Sequence, residues 1–206
     1  MARPLGIDPD RELVLACQQS SPEGLGGPFR DLYMGYRDRV YNVCYRITGD
    51  ATDALDAAQE TFGILFRKIG GFRFESRFSS WVYRIAVNTS IDLKRRAQSR
   101  GWTSLDALQA GPTGDGSRFE ITDEKDEAPQ AAASRHELED EIQRAIDRLS
   151  PKMRAITVLR YLEGLSYDEI AETLAISLGT VKSRLSRAHA ALDRELTPVL
   201  DRHFLA

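Results

Sequence analysis

The chain has 206 residues, 42% of them hydrophobic, and a formal net charge of −3. That is apolar material for one or two modest cores, and the near-neutral total hides an uneven distribution of charge. There is no run of about 18 apolar residues and no basic-then-apolar leader, so neither a membrane span nor a signal peptide is expected and the expected location is cytoplasmic, without membrane insertion. Cys17 and Cys44 are isolated, and His136, His189 and His203 share no metal-ligand spacing with them or with each other. Both cysteines read as small buried hydrophobes, and no metal or other cofactor is expected.

The first strong helical signal is "PFRDLYMGYRDRVYNVCYRITGD", where Leu32, Tyr36, Val40, Val43, Cys44 and Ile47 recur at three- and four-residue steps and Gly49 suits the helix end. "ATDALDAAQETFGILFRKI" predicts a second amphipathic helix and "FSSWVYRIAVNTSIDLKRR" a third. Before the third comes "GFRFESRF", which interleaves three phenylalanines with Arg73 and Arg77. From Arg67 to Arg100 the bases Arg67, Lys68, Arg73, Arg77, Arg84, Lys94, Arg95, Arg96 and Arg100 face only Glu75 and Asp92, so this segment is strongly basic. "SLDALQAGPTGDGSRFEITDEKDEAPQAAA" follows, rich in Gly, Pro, Asp and Glu and poor in periodic apolar residues, as a flexible acidic linker would be.

Beyond it, Ser134 with Glu137 and Ser166 with Glu169 have capping-box spacing, and Ser150-Pro151 marks a further helix start. No alternating strand pattern of useful length occurs. The expected fold is all-α, roughly seven to nine helices in two small domains joined by the linker. In "GLSYDEIAETLAISLGTVKSRLSRAHAAL" a capped helix from Tyr167 to Leu174, the turn Ala175-Ile176-Ser177 and a second helix from about Leu178 make a helix-turn-helix. Val181, Leu185, Ala188 and Leu192 fall on one face of the second helix, to pack on Ile170 and Leu174. Gly179, Ser183, Ser186 and Arg187 point away, with Thr180, Lys182 and Arg184 on the flanks. Such a face suits a major groove, because Lys and Arg meet phosphate or guanine edges and Ser and Thr bond either. The plainer reading, a solvated basic face on a helical hairpin, explains the charge but not the cap, turn and apolar face together.

"LSPKMRAITVLRYLEGLSYDEIAETLAISLGTVKSRLSRAHAAL" strongly resembles region 4 of bacterial RNA polymerase sigma factors of the extracytoplasmic-function class. "DALDAAQETF", "FRFESRFSSWVYRIAVN" and "DLKRR" resemble region 2 of the same class, in the same order and separation. Region 4 alone is also similar to the output domains of response regulators, so the specificity lies in the pairing. The resemblance implies region 2 at residues 9–98, a linker at 99–133 and region 4 at 134–196.

The family docks region 2 on the clamp helices of the polymerase β′ subunit through an Asp-x-x-Asp-x-x-Gln-Glu helix, which corresponds to Asp53, Asp56, Gln59 and Glu60; a solvated acidic face is the competing reading. Ala57-Ala58 stands where the family usually has a larger aliphatic pair. Region 4 of the family contacts the β flap and the minus-thirty-five promoter element, implying DNA contacts at Thr180, Lys182, Ser183, Arg184, Ser186 and Arg187. Arg154 and Arg160, on the helix from Lys152 to Glu163, are open to reading as phosphate contacts or as surface charge.

The aromatic loop matches the segment that opens and reads the minus-ten element. Unstacked bases need aromatic faces or arginine planes, worth roughly 1–3 kcal/mol per base, and basic side chains hold nearby phosphates. Phe72, Arg73, Phe74, Glu75, Ser76, Arg77 and Phe78 would form a pocket for a flipped nontemplate base, with Asn88 near the upstream edge of the element. Trp81 reads as core, and a core reading of Phe72 and Phe78 also stands. Phe74 replaces a usual glycine, and three roles are open to it: walling the pocket, stacking on a base, or covering the loop. The expected function is therefore a sigma factor that binds core RNA polymerase and directs promoter-specific initiation, with promoter DNA and an anti-sigma factor as further partners. The alternative is a helix-turn-helix regulator working without polymerase, normally as a dimer on a palindrome. No phosphate loop, metal cluster or nucleophile–base signature supports an enzyme.

Overall fold

The structure is a computed structural model that describes residues 8–19, 27–103 and 129–204. Among them every regular element is helical: α1 (Arg11–Gln19), α2 (Pro28–Thr48), α3 (Ala51–Lys68), a 3-10 turn (Ile69–Gly71), α4 (Phe78–Thr103), α5 (Pro129–Asp147), α6 (Pro151–Tyr161), α7 (Tyr167–Leu174) and α8 (Leu178–Phe204). Residues 104–128 of the expected acidic linker lie outside the described residues. Its two edges are helical, because α4 continues to Thr103 and α5 begins at Pro129. Ser134 consequently lies inside α5 rather than at its start, and the expected capping box with Glu137 is corrected.

Local chemistry explains the other boundaries. Pro28 opens α2 at a position where its missing N–H costs nothing, and Gly49 ends it in the left-handed conformation, φ 76°, donating its N–H to the Tyr45 carbonyl. Asp50 then caps α3 by accepting the Asp53 N–H at 2.9 Å. Tyr36, Val40, Val43 and Ile47 of α2 meet Ala54, Ala57, Ala58 and Leu65 of α3 and Phe78, Val82, Ala86 and Val87 of α4 in the core. Ala57 and Ala58 are both buried, so the small pair acts in helix packing.

In the second half, Ala155, Ile156, Val158 and Leu159 of α6 pack with Ile170, Val181 and Leu185, and this core is continuous with that of the first half. The junction between the halves also carries a polar cluster. Arg154 is only 2% exposed; its guanidinium lies 2.9 Å from the Asp147 carboxylate and donates to the carbonyls of Ile146 (3.1 Å), Asp147, Leu149 (3.4 Å) and, across the junction, Ile47 (2.5 Å). A buried cation that satisfies helix-end carbonyls has no donor left for phosphate, so the reading of Arg154 as a DNA contact is corrected. Burial lowers its pKa, and Asp147 opposes that shift.

Lys94 adds a bond to the Thr48 carbonyl at 2.8 Å, and Arg46 donates to the Gln143 side-chain oxygen at 2.9 Å. Gly49 sits so close to Asp147 that a Cβ there would meet its carboxylate oxygen at 2.7 Å. Tyr83 of α4 donates to Glu163, whose carboxyl is pushed up by burial and held back by this bond and by Arg39.

Candidate nucleic-acid interface

The helix-turn-helix starts at Ser166, whose hydroxyl accepts the Glu169 N–H (3.2 Å) while the Glu169 carboxylate accepts the Ser166 N–H (2.8 Å). This reciprocal cap satisfies two otherwise orphaned amides of α7. Ala175 ends α7 in the left-handed conformation, φ 52°, and Ser177 opens α8 by accepting the Thr180 N–H at 3.1 Å. Serine therefore supplies a capping oxygen at this turn.

Val181, Leu185 and Ala188 are fully buried on the inner face of α8. Lys182, Ser183, Ser186 and Arg187 are exposed, and Thr180 and Arg184 are half-buried. The Thr180 hydroxyl bonds that of Ser177 at 2.8 Å, and the Ser183 hydroxyl donates to the Thr180 carbonyl, so among the described residues the donors of this face left for a ligand are on Lys182, Ser186 and the arginines. Arg160 closes the turn between α6 and α7, donating to the Leu165 carbonyl at 2.8 Å with its guanidinium 5.2 Å from the Tyr167 ring centre.

The loop from Phe72 to Phe78 is held at the head of α4. Phe78 is core, 1% exposed, with its ring centre 5.7 Å from that of Tyr36. Phe72 is half-buried and stacks on Trp81 at 4.9 Å, which places Trp81 against the core as expected. Phe74 has φ 56°, left-handed backbone that disfavours a residue with a Cβ and accounts for the usual glycine. Its ring packs edge-on to Phe72 at 5.0 Å and lies 4.5 Å beneath the Arg11 guanidinium.

Arg73, Glu75 and Arg77 are exposed, Ser76 is buried, and Asn88 is exposed about 15 Å further along α4. The loop thus exposes Arg73, Glu75 and Arg77 around the half-buried Phe72 and Phe74, while Phe78 and Ser76 are buried at its base. Arg77 also spans the junction, its guanidinium 3.0 Å from the carboxylate of Glu169. That proximity lowers the Glu169 pKa, after the larger effect of the bond from the Ser166 N–H.

On α3, Asp56, Gln59 and Glu60 are exposed and Asp53 is half-buried. Leu55 is 48% exposed at the edge of this acidic face, an apolar residue that sequence reasoning left out. Sequence reasoning also gave no role to Asp8, Arg11 or Gln18, which touch the loop; their partners are about 50 or more residues away, beyond any periodic pattern. Among the described residues, no helix is long and apolar enough to cross a membrane, and no group of three or more His, Cys, Asp or Glu is placed to hold a metal ion.

The fold and its two surfaces define a sigma-70-type transcription initiation subunit: residues 32–100 match sigma-70 region 2 and residues 139–192 match sigma-70 region 4. The chain belongs to the extracytoplasmic-function (ECF) RNA polymerase sigma factors. It is 38% identical over 168 residues to the ECF RNA polymerase sigma factor SigW of Bacillus subtilis, covering 82% of this chain and 88% of that protein. It is 35% identical over 194 residues to the RNA polymerase sigma-H factor of Pseudomonas aeruginosa (93% and 95%), and 33% identical over 176 residues to the ECF RNA polymerase sigma-E factor of Escherichia coli (84% and 89%).

Two solved structures share the fold. CnrH in complex with the cytosolic domain of CnrY has a TM-score of 0.64 at 22% identity, covering 92% of this chain and 97% of that one. The sigma factor RpoE in complex with the anti-sigma factor NepR from Bartonella quintana has a TM-score of 0.60 at 20% identity, covering 82% and 96%. The chain acts in promoter-specific transcription initiation with RNA polymerase, as a DNA-binding regulator rather than a polymerase-independent one.

Proposed function

We propose that this sigma factor divides its task between region 2 at residues 9–98 and region 4 at residues 134–196, tethered by 99–133. Region 4 reads the minus-thirty-five element with Thr180, Lys182, Ser183, Arg184, Ser186 and Arg187. Region 2 docks on the β′ clamp helices through Asp53, Asp56, Gln59 and Glu60. It then captures an unpaired minus-ten base with the loop Phe72, Arg73, Phe74, Glu75, Ser76, Arg77 and Phe78, with Asn88 at the upstream edge. Phe78 and Ser76 serve from below, as the loop's base. The β flap and an anti-sigma factor complete the partners, in the cytoplasm.

The observation that carries this reading is the 72–78 loop at the head of α4, where exposed Arg73 and Arg77 flank the half-buried rings of Phe72 and Phe74, in one chain with an exposed basic helix-turn-helix face. Stacking supplies about 1–3 kcal/mol per base where strands part, and the arginines supply counter-charge. Because Arg77 is paired with Glu169 in the arrangement described, its use on DNA requires α7 to leave it. Polymerase, by fixing the separation of two tethered DNA-binding regions, supplies that requirement.

Pull-down of core polymerase is the direct test of the docking face. Asp56→Arg and Gln59→Ala lose retention of core and run-off transcription while their thermal unfolding stays close to wild type. Full retention of core by Asp56→Arg would refute the assignment of α3, and tight, specific binding of duplex promoter by the isolated chain would refute the division of labour.

A further inference from the structure

The promoter contacts above leave out the N-terminal segment, yet three of its side chains converge on the 72–78 loop. The Gln18 side-chain amide spends both hydrogens there, donating to the carbonyls of Ile69 (3.0 Å) and Phe72 (2.8 Å) where the chain enters the loop. The Arg11 guanidinium covers the Phe74 ring at the crest, 4.5 Å from its centre. The Asp8 carboxylate accepts the Phe78 N–H at 2.7 Å where the loop becomes α4, satisfying an orphan amide at a helix N-terminus.

The segment that carries them is itself fastened to the domain. Val14 is fully buried, Tyr36 donates to the Asp10 carboxylate at 2.5 Å, and the Asp10 N–H bonds Asp8 at 3.1 Å. A left-handed, non-glycine residue such as Phe74 persists only where its surroundings over-determine it, and these contacts do so at entry, crest and exit.

We propose that Asp8, Arg11 and Gln18 are positioning residues for promoter opening: α1 and the residues before it form a bracket that presets the 72–78 loop to receive an unpaired base. None of the three needs to touch that base. Their effect is preorganisation, because a loop already in its binding conformation loses little freedom on capture. The inference rests on the reading of the loop as the minus-ten pocket, and the test separates the two.

Holoenzyme is assembled from core polymerase and each variant, and two affinities are measured on a promoter mapped for this chain by transcript sequencing. One probe is the single-stranded nontemplate minus-ten oligonucleotide, the other a duplex carrying only the minus-thirty-five element. Gln18→Met and Asp8→Ala weaken the oligonucleotide about tenfold, the equivalent of one poorly held base, and leave the duplex unchanged. Asp8→Asn, which keeps an acceptor oxygen, stays near wild type. Arg11→Met, at an exposed position, loses several-fold on the oligonucleotide alone.

Wild-type oligonucleotide affinity in Gln18→Met, Asp8→Ala and Arg11→Met, with loss in Phe74→Ala and Arg77→Ala, overturns the bracket and keeps the pocket. Wild-type affinity in Phe74→Ala and Arg77→Ala overturns the pocket itself. Equal loss on both probes in the bracket variants marks a merely structural role and overturns the proposal.

Discussion

Replacing Arg154 with methionine keeps an unbranched apolar stem and removes the guanidinium with its five donors. Four carbonyls, those of Ile47, Ile146, Asp147 and Leu149, then lose a partner, and the Asp147 carboxylate loses its nearest counter-charge. Breaking a buried ion pair from one side costs about 3–5 kcal/mol. The lower end applies, because the Asp147 side chain is 34% exposed and keeps Lys94 at 3.9 Å, so water and one ammonium soften the loss. A fall of about 3 kcal/mol, at a urea m-value of about 2–3 kcal/mol per molar for a protein of this size, moves the unfolding midpoint down by about 1–1.5 M. Equilibrium urea unfolding followed by far-ultraviolet circular dichroism measures it directly. Arg154→Lys falls between the two, since an ammonium has three donors and no planar fork. A midpoint for Arg154→Met within about 0.2 M of wild type would refute the assignment of this side chain as the tie between the helix ends.

The capping box at Ser166 predicts a loss of about 1 kcal/mol for Ser166→Ala, seen in thermal unfolding. Because the Glu169 pKa is lowered from 4.5 in the folded chain, its contribution is complete above that value and disappears as pH falls through the folded one; wild type thus loses more stability than Glu169→Gln on acidification from about pH 6 to 3, and equal losses would contradict the pairing. On α8, Lys182→Ala and Arg187→Ala weaken use of the minus-thirty-five element. Each change that removes a phosphate contact lowers the slope of log affinity against log salt by about 0.9, whereas one that removes a base contact relaxes sequence preference at one position, and no change in either measurement would place that side chain off the DNA.

The helix-turn-helix was legible because its signals are local. Ser166 and Glu169 are three residues apart, Val181, Leu185 and Ala188 repeat at the helical period, and the structure begins α7 and α8 at the residues that pattern indicates. The aromatic loop was legible in composition but not in internal roles. Which phenylalanine faces the core depends on Tyr36 arriving from α2, so Phe78 became the floor and Phe74 the crest. Phe74 stood out as a departure from glycine; the backbone at φ 56° accounts for the glycine, and the contacts that hold a phenylalanine there come from Arg11 and Phe72, distant or unpredictable in letters. Arg154 misled for a similar reason: an arginine on a helix looks like surface charge until the end of α2 is placed against it. The Ser134 box failed because α5 starts earlier, at Pro129, and the spacing of a cap recurs by chance inside helices.

Gly49 limits how freely the two halves of such a chain can be exchanged between relatives. The position both ends α2 with positive φ and leaves the gap that the Asp147 carboxylate fills, so a single absent methyl group serves two regions at once. A chimera that joined this region 2 to a region 4 without an acid at the place of Asp147 would keep the helix end and leave that gap unfilled. The reverse graft, onto a region 2 with any side chain in place of Gly49, would set a Cβ against the Asp147 carboxylate. Regions 2 and 4 are separate in sequence, but at this contact they form one heritable unit, and a viable swap has to move residues 47–49 together with 147–154.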